Sequence, residues 1–249
     1  MKTMSLINKK GGVGKTTITV NLAYAFAESC DLRVLVVDND DQGNATQFFG
    51  ARAESGLADV LTGADIRACL SKTRYSLIDL LPSDERLLEA NMAVIKDETI
   101  VQQSILKDAL QSIDEMYDIC LIDNPPSINA SVINALVASD EVIIVTTPDM
   151  YGLRGVEQMI TYINAIQAGY NPQLRFRGCL LNKFSMTPHG FKILAKLRKD
   201  IPLFRSRIRY TKDKPEAAAE EQQAIFEYSP NCGFSCDLVK FLRELMEGM

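Results

Sequence analysis

The chain has 249 residues, of which 47% are hydrophobic and 24% are charged, and its formal net charge is −5. A chain of this length and composition can bury a full core, either as one large α/β domain or as two small ones. It contains no apolar run of the roughly 20 residues that a membrane-spanning helix needs, and its first residues, MKTMSLINKK, lack the apolar stretch of a secretory signal, so we expect a cytoplasmic protein.

Six cysteines lie at positions 30, 69, 120, 179, 232 and 236, and none of them forms a Cys-x-x-Cys pair. The single histidine, His189, has no cysteine near it in the sequence, and the spacing of Cys232 and Cys236 is a poor match to a zinc site. We therefore expect reduced, partly buried thiols.

Short β-branched runs alternate with longer amphipathic segments along nearly the whole chain. The predicted strands are 3–8, 33–38, 77–81, 119–123, 141–147 and 178–182. The predicted helices are 15–29, 84–96, 99–116, 129–138, 152–168, 188–199, 215–223 and 235–247. Strands that are nearly continuous in apolar residues, such as VLVVD and ICLID, are typical of a sheet covered by helices on both faces. The sequence therefore predicts a doubly wound α/β fold with a mostly parallel sheet flanked by helices, in a single domain over residues 1–249.

A glycine-rich segment, SLINKKGGVGKTT at 5–17, connects the first predicted strand to the first predicted helix. Glycines let the backbone approach a polyphosphate so that successive N–H groups donate to it, and the positive end of the following helix faces the same place. Lys15 is expected to contact the β- and γ-phosphates, and the Thr16 hydroxyl to ligate Mg²⁺. The predicted nucleotide-binding residues are Gly11, Gly12, Val13, Gly14, Lys15, Thr16 and Thr17. The segment predicts a P-loop NTPase fold that binds ATP and Mg²⁺.

Two lysines precede the glycines. Lys9 stands where the general pattern G-x-x-x-x-G-K-[ST] has its first glycine, and Lys10 follows it directly. The segment KGGVGKTT resembles the deviant phosphate loop of the ParA/MinD family of ATPases. In that family the lysine matching Lys10 crosses the interface of an ATP-sandwich dimer and contacts the phosphates of the second subunit, as an arginine finger does. The resemblance implies a homodimeric ATPase in which Lys10 and Lys15 are catalytic.

The second predicted strand runs into DNDDQGNAT at 38–46, which is similar to the first switch of the same family, D-x-D-P-Q-G-N-A-T. By that match Asp40 orients or activates the attacking water, from just beyond the carboxyl end of a strand, where open α/β sheets bind ligands. Asp38, at the strand end, is expected to assist the magnesium shell. Asp41 replaces the usual proline, which makes this loop less stiff and more acidic than the family pattern.

The predicted strand at 119–123 ends in Asp123 and continues as Asn124-Pro125-Pro126. An apolar strand that ends in Asp is the usual arrangement for holding Mg²⁺ through water, and this segment fits the family's D-x-x-P-P pattern. The two prolines fix the exit direction of the chain, which suits a second switch that responds to the γ-phosphate. The predicted metal-binding residues are thus Thr16, Asp38 and Asp123.

The segment GCLLNKF at 178–184 resembles the family's late strand, whose asparagine hydrogen-bonds adenine. An amide both donates and accepts, which matches the N6/N7 edge of adenine, so Asn182 is the predicted base-binding residue, with an ordinary turn asparagine as the alternative. A guanine site of the N-K-x-D type needs an acid at position 185, where the chain has Ser185, and this favours ATP over GTP.

Residues 173–214 contain twelve Lys or Arg residues and two acids, so this window carries +10 and the remainder of the chain −15. Nonspecific DNA binding requires phosphate-neutralising cations gathered on one surface, although a solvated basic face is the simpler alternative. Three lysines follow helical spacing, and three arginines alternate so that they share one side if their segment is extended. These candidate DNA-contacting residues are Lys192, Lys196, Lys199, Arg205, Arg207 and Arg209.

The resemblance covers nearly the whole chain and points to the ParA/Soj branch, whose members position DNA or other cargo using the nucleoid as a track. It implies a dimerising, slowly hydrolysing ATPase for chromosome or plasmid partition that binds DNA nonspecifically in its ATP state. It also implies nucleoid association and a ParB-like centromere-binding or cargo adaptor protein that stimulates hydrolysis.

Two alternatives stay open. A membrane- or cargo-positioning ATPase of the MinD type, without DNA binding, needs a lysine-rich amphipathic tail, whereas the last predicted helix reads CDLVKFLRELMEGM, so no membrane partner is expected. A metabolic enzyme, such as an ATP-dependent ligase or a reductase whose dimer shares an iron–sulfur cluster, needs suitably placed cysteines, whereas Cys120 and Cys179 fall inside predicted strands.

Overall fold

The computed structural model describes residues 1–52, 54–97 and 102–248, apart from the side chains of 150–154, 189 and 200. Its strands within these residues are β1 (Lys2–Ile7), β2 (Val34–Asp38), β3 (Ser71–Lys72), β4 (Ile78–Leu81), β5 (Ile119–Asp123), β6 (Glu141–Thr146), β7 (Arg175–Phe184) and β8 (Leu203–Arg209). They form one sheet in the order β3-β4-β2-β5-β1-β6-β7-β8, in which only the β3–β4 pair of the described strands is antiparallel. The predicted doubly wound, mostly parallel sheet is confirmed.

Helices cover both faces of this sheet. Within the described residues they are α1 (Lys15–Cys30), α2 (Asn44–Phe48), α3 (Leu57–Leu61), α4 (Ile66–Cys69), α5 (Arg86–Lys96), α6 (Ile105–Gln111), α7 (Ala130–Ala138), α8 (Met150–Gly169), α9 (Pro188–Asp200), α10 (Lys214–Glu220), α11 (Ile225–Tyr228) and α12 (Gly233–Met246), with a 3₁₀ turn at Asp114–Met116. In β2, Val34 and Val36 pack in the core that contains α1 and α12, whereas Leu35 and Val37 pack in the core that contains α3 and α5. Because both sides of the strand are covered, every residue of VLVVD is buried.

Some elements differ from the sequence-based expectation. The helix predicted over 99–116 begins outside the described residues, and its described part consists of α6 and the separate 3₁₀ turn. The chain turns between them so that Ile113 enters the core. The edge strands β3 and β8 were not predicted as strands. In β8, Phe204 and Ile208 are buried while arginines alternate with them, which is the pattern of a half-buried edge strand.

The topology brings three strand ends together. Asp38 at the end of β2 lies in register with Asp123 at the end of β5, and Asp123 lies in register with Leu6 near the end of β1. The loops that follow β1, β2 and β5 therefore meet at the carboxyl ends of the strands, where doubly wound proteins bind their ligands.

Candidate functional site

The loop between β1 and α1 bends sharply at two glycines. Gly12 and Gly14 have φ angles of 70° and 90°, in the left-handed region that favours glycine. A Cβ atom at Gly14 would collide with Nδ2 of Asn182 at the end of β7. Val13 is buried in the core, so only its backbone is offered to the cleft. Gly14 is also the N-cap of α1 and has no side chain to accept from the first-turn N–H groups, which leaves them for an anion.

Lys15, the first residue of α1, is almost entirely buried, with 7% of its surface exposed. Burial lowers the pKa of its ammonium group, while the carboxylates of Asp123 and Asp40 act in the opposite direction. A cation held beside carboxylates in a buried position forms strong bonds to any phosphate oxygen that reaches it.

Asp38 and Asp123 form a pair of buried carboxyl groups at the strand ends. Oδ2 of Asp123 accepts a hydrogen bond from the Thr16 hydroxyl at 2.5 Å, and Oδ2 of Asp38 accepts from the Thr46 amide at 2.7 Å and from its hydroxyl at 2.8 Å. Burial raises the pKa of Asp38 to about 6, and burial together with the charge of Asp38 raises the pKa of Asp123 to about 7. Buried carboxyl groups that repel one another beside a threonine hydroxyl fit the oxygen ligand set of a magnesium ion.

The loop that follows β2 holds Asp40 beside this pair. The amide of Asp40 donates to Oδ1 of Asp38 at 3.2 Å, and Oδ1 of Asp40 accepts from the Gln42 amide at 3.1 Å. Asp40 is largely buried. A carboxylate fixed in this way on the wall of the cleft can orient a water molecule or accept its proton.

Two asparagines join the loop after β2 to the loop after β5. Nδ2 of Asn39 donates to Oδ1 of Asn124 at 2.8 Å, and the Asn39 amide donates to the Asp123 carbonyl at 2.9 Å. Nδ2 of Asn124 in turn donates to the carbonyl of Leu6 in β1 at 3.2 Å. The ends of the three central strands are therefore connected by side-chain amides.

Lys10 lies outside the cleft of its own chain. Its Nζ forms an ion pair with Oδ2 of Asp149 at 2.6 Å and donates to the Thr147 hydroxyl at 3.1 Å, both in the segment between β6 and α8. Its amide donates to Oδ1 of Asn8 at 3.0 Å. Lys10 is thus held beside the end of β6. Strand β1 lies between this position and the ends of β5 and β2.

Asn182 and Lys183 reach the phosphate loop from the end of β7. Nδ2 of Asn182 donates to the carbonyl of Val13 at 2.8 Å, and Nζ of Lys183 donates to the carbonyl of Gly12 at 3.2 Å. Oδ1 of Asn182 accepts from the amide of Lys183 at 2.9 Å. In this structure the amide group of Asn182, predicted to bind adenine, contacts the loop.

The loops enclose a cleft of about 510 Å³. Its walls are formed by Gly11, Gly12, Gly14, Lys15, Thr16, Thr17, Asp40, Asp41, Gln42, Asn44, Pro125, Pro126, Ser127 and Lys183. A smaller cavity of about 40 Å³ adjoins it at Gly14, Thr17 and Lys183, and is lined further by Asn182 and Tyr210. All the predicted phosphate-loop residues except the buried Val13 line one cleft together with Asp40, and Asn182 lies at the smaller cavity.

The six basic candidates lie on two elements. Lys192, Lys196 and Lys199 are exposed on α9. Arg205 and Arg209 on β8 instead form ion pairs with carboxylates of α12, and Arg205 also pairs with Glu247 directly after that helix. The guanidinium of Arg207 lies 5.3 Å from the ring centroid of Phe184.

Several residues of the site were not assigned a role from the sequence. They are Thr19, Asn39, Thr46, Asn124 and Lys183. Asn39 and Asn124 directly follow buried strands, and Lys183 directly follows the apolar run of the predicted strand 178–182, so these polar positions are the available signal. Thr46 bonds to Asp38 across a loop whose path the sequence does not specify.

The comparisons with known proteins agree with this geometry. A family model described as "AAA domain" matches residues 1–176. The sporulation initiation inhibitor protein Soj of Bacillus subtilis is 36% identical over 203 residues, which cover 80% of this chain and 79% of Soj. A ParA family protein of Chlamydia pneumoniae is 31% identical over 99% of this chain and 98% of its own.

Among solved structures, the cobyrinic acid a,c-diamide synthase of Mycobacterium smegmatis, with a bound ATP analog and magnesium, has a TM-score of 0.80 and 30% identity. The match covers 89% of this chain and 92% of that one. Because the family model covers more than half of the chain and the ParA-type relatives align over most of it, the predicted family and ATPase activity are confirmed: the chain belongs to the ParA/Soj-type ATPases with an AAA domain.

Proposed function

We propose that this ATPase is a nucleotide-switched partition protein that dimerises with ATP, binds DNA without base readout in that state and hydrolyses ATP slowly. The observation that carries the proposal is the position of Lys10, whose Nζ is bonded to Asp149 and Thr147 and does not line the cleft of its own chain. A lysine directly before the phosphate loop that does not serve its own cleft is suited to serve the cleft of a second copy. The names of the relatives, Soj and ParA, support the same proposal.

In this proposal ATP occupies the main cleft. Its triphosphate accepts hydrogen bonds from the loop amides and contacts Lys15 and Thr17, and its adenine lies at the smaller cavity beside Asn182. Thr16, Asp38 and Asp123 are the residues that would hold a Mg²⁺ ion, directly or through water, and the ion would supply positive charge that offsets the charge of the phosphates.

Asp40 orients the attacking water and accepts its proton. The water oxygen forms a bond to the γ-phosphorus while the bond from that phosphorus to the bridging oxygen breaks, so that ADP and phosphate are the products. Lys10 of the second copy offsets the charge on the phosphoryl oxygens. Hydrolysis is slow because Lys10 must first leave Asp149. A ParB-like or cargo adaptor accelerates hydrolysis by stabilising the arrangement in which Lys10 is released from Asp149.

For DNA, α9 is the preferred surface among the candidate elements. Its lysines at 192 and 199 are exposed, whereas Arg205 and Arg209 are engaged with carboxylates of α12. Lysines that contact phosphates give affinity that falls steeply with salt and carries no sequence preference. The protein would thereby associate with the nucleoid.

The membrane alternative depends on a free amphipathic helix. In α12 the apolar residues Phe234, Phe241 and Leu245 are buried in the core, so this face is not offered to a bilayer. Among the helices in the part of the chain described here, none combines the length and hydropathy needed to cross a membrane.

The test is binding of random-sequence DNA to the Asp40→Ala protein with ATP, with ADP and without nucleotide, across a salt series. We expect binding with ATP only. The slope of the logarithm of the binding constant against the logarithm of salt concentration should become shallower by about one for each lysine removed in Lys192→Ala and Lys199→Ala. Lys96→Ala, at an exposed lysine of α5, is the matched control. Binding in no nucleotide state would contradict the DNA proposal and leave the ATPase, and vesicles containing anionic lipid would be the next ligand to test.

A further inference from the structure

The phosphate loop is bonded to β7 at two successive carbonyl groups. Asn182 donates to the carbonyl of Val13 and Lys183 donates to the carbonyl of Gly12. In a planar trans peptide the carbonyl and the following N–H point in opposite directions. The N–H groups of Val13 and Gly14 are therefore directed away from β7.

Lys183 makes its contact from a backbone conformation that side-chain-bearing residues rarely adopt. Its φ is 55°, in the left-handed region, and its amide donates to Oδ1 of Asn182. A left-handed lysine costs free energy that the surrounding contacts must offset, and such positions are concentrated at functional sites. Here the offsetting contacts are the bond to Asn182 and the bond to Gly12.

We propose that Lys183 is a positioning residue of the ATP site: together with Asn182 it holds the phosphate loop from the β7 end, so that the loop N–H groups are oriented before nucleotide binds. Lys183 is half-buried on the wall of the main cleft. Its ammonium group binds the Gly12 carbonyl more strongly than a neutral donor does. Pre-orientation lowers the ordering cost of binding, so it acts on affinity for any ligand that uses the loop amides.

Loop positioning and direct contact with the γ-phosphate affect the two nucleotides differently. A positioned loop binds the phosphates that ATP and ADP share, so its loss weakens both nucleotides equally. A direct γ-phosphate contact is lost for ATP alone. Because Lys183 does not touch the reacting atoms in this proposal, its removal raises KM and leaves kcat nearly unchanged.

The experiment titrates the purified protein with fluorescent ATP and ADP analogues in the absence of DNA, and measures kcat, KM and Tm. Lys183→Met removes the donor, Lys183→Arg keeps a charged donor, and Lys183→Gly removes the side chain while relieving the left-handed strain. Lys96→Met is the control for the loss of a lysine elsewhere. The titration needs no DNA and does not depend on the proposed partition function.

We expect Lys183→Met and Lys183→Gly to weaken binding of both nucleotides about tenfold, and Lys183→Arg to restore most of the affinity. Lys183→Gly should keep the wild-type Tm, which shows that the loss of affinity is not a loss of fold. Wild-type affinity in Lys183→Gly, a loss confined to ATP, or a failure of arginine to restore binding would each overturn the proposal.

Discussion

At the scale of single residues, the site places two acidic groups where water is excluded. Asp38 and Asp123 lie side by side at the ends of neighbouring strands, and both are almost completely buried. Desolvation and mutual repulsion oppose their ionisation, so the nucleotide-free protein holds protons that water-exposed aspartates release. A bound cation removes this penalty, which couples the fold to its ligand.

The first prediction concerns pH. An unfolded aspartate titrates at about 3.9, whereas the folded pKa is about 6 for Asp38 and about 7 for Asp123. Between these values the folded chain binds more protons than the unfolded chain, so the contribution of the pair to stability falls as pH rises through the window. We expect Tm in metal- and nucleotide-free buffer to decrease from pH about 5 to about 8, and to decrease less in Asp38→Asn. An equal decrease of Tm with pH in the wild-type and Asp38→Asn proteins would contradict the raised pKa values of this pair.

The second prediction separates binding from chemistry. Lys15→Ala should abolish ATP binding because the buried ammonium group is lost, whereas Asp40→Ala should bind ATP and lose turnover by about a hundredfold or more. Fluorescent-nucleotide titration and phosphate release measure the two effects. Asp41→Ala removes the neighbouring, partly exposed carboxylate on the same cleft wall and is the matched control. Normal turnover in Asp40→Ala would show that another group orients the water.

The residues of the phosphate loop were predictable because their chemistry depends on a continuous segment. The contacts made by Asn182 and Lys183 were not, since they join residues 169 and 171 positions apart. A strand-end asparagine suits base recognition by residue type, but only the path of β7 beside β6 brings its amide to Val13.

At the scale of elements, α12 protects the free edge of the sheet. The amides of Arg205 and Ser206 donate to the two carboxylate oxygens of Glu244 at 2.7 and 2.8 Å, and the amide of Arg209 donates to Asp237 at 3.1 Å. β8 is the last strand of the sheet, and unpaired N–H groups along such an edge invite pairing with other chains. Side-chain carboxylates from α12 satisfy them instead.

The third prediction tests this protection. Asp237 is 5% exposed, and although burial alone would raise its pKa, the hydrogen bonds from Arg209 hold that pKa below its ordinary value. Asp237→Ala should lower the free energy of unfolding by about 2 kcal/mol, because a side-chain pair and a backbone bond are both lost. Denaturant titration measures it. Lys240→Ala, at a mostly exposed side chain 3.5 Å from the same carboxylate, should change it by less than about 0.5 kcal/mol. Equal effects would contradict the role of Asp237.

The main parallel strands were predictable from their apolar runs. β3 and β8 were not, because β3 has only two residues and β8 alternates buried apolar residues with charged ones. The alternation of Arg205, Arg207 and Arg209 gave one basic side, but the sequence could not show that carboxylates of α12 would reach the same side. Pairing of this kind depends on how α12 packs against β8.

At the scale of the whole molecule, Lys10 connects the phosphate loop to the β6–α8 segment and, in our proposal, to a second copy. The fourth prediction is that Lys10→Ala binds ATP as a monomer but does not dimerise, because it keeps the cleft and loses the cation supplied to the other subunit. Light scattering with ATP in an Asp40→Ala background measures it. Lys9→Ala, at the adjacent exposed lysine, is the control. A dimer in Lys10→Ala would contradict the role in trans.

The hydrogen bond between Asn39 and Asn124 couples the loop that follows β2 to the loop that follows β5. If either loop moves away, the bond is lost, and the other loop then moves without the cost of breaking it. A displacement of one loop therefore favours a displacement of the other.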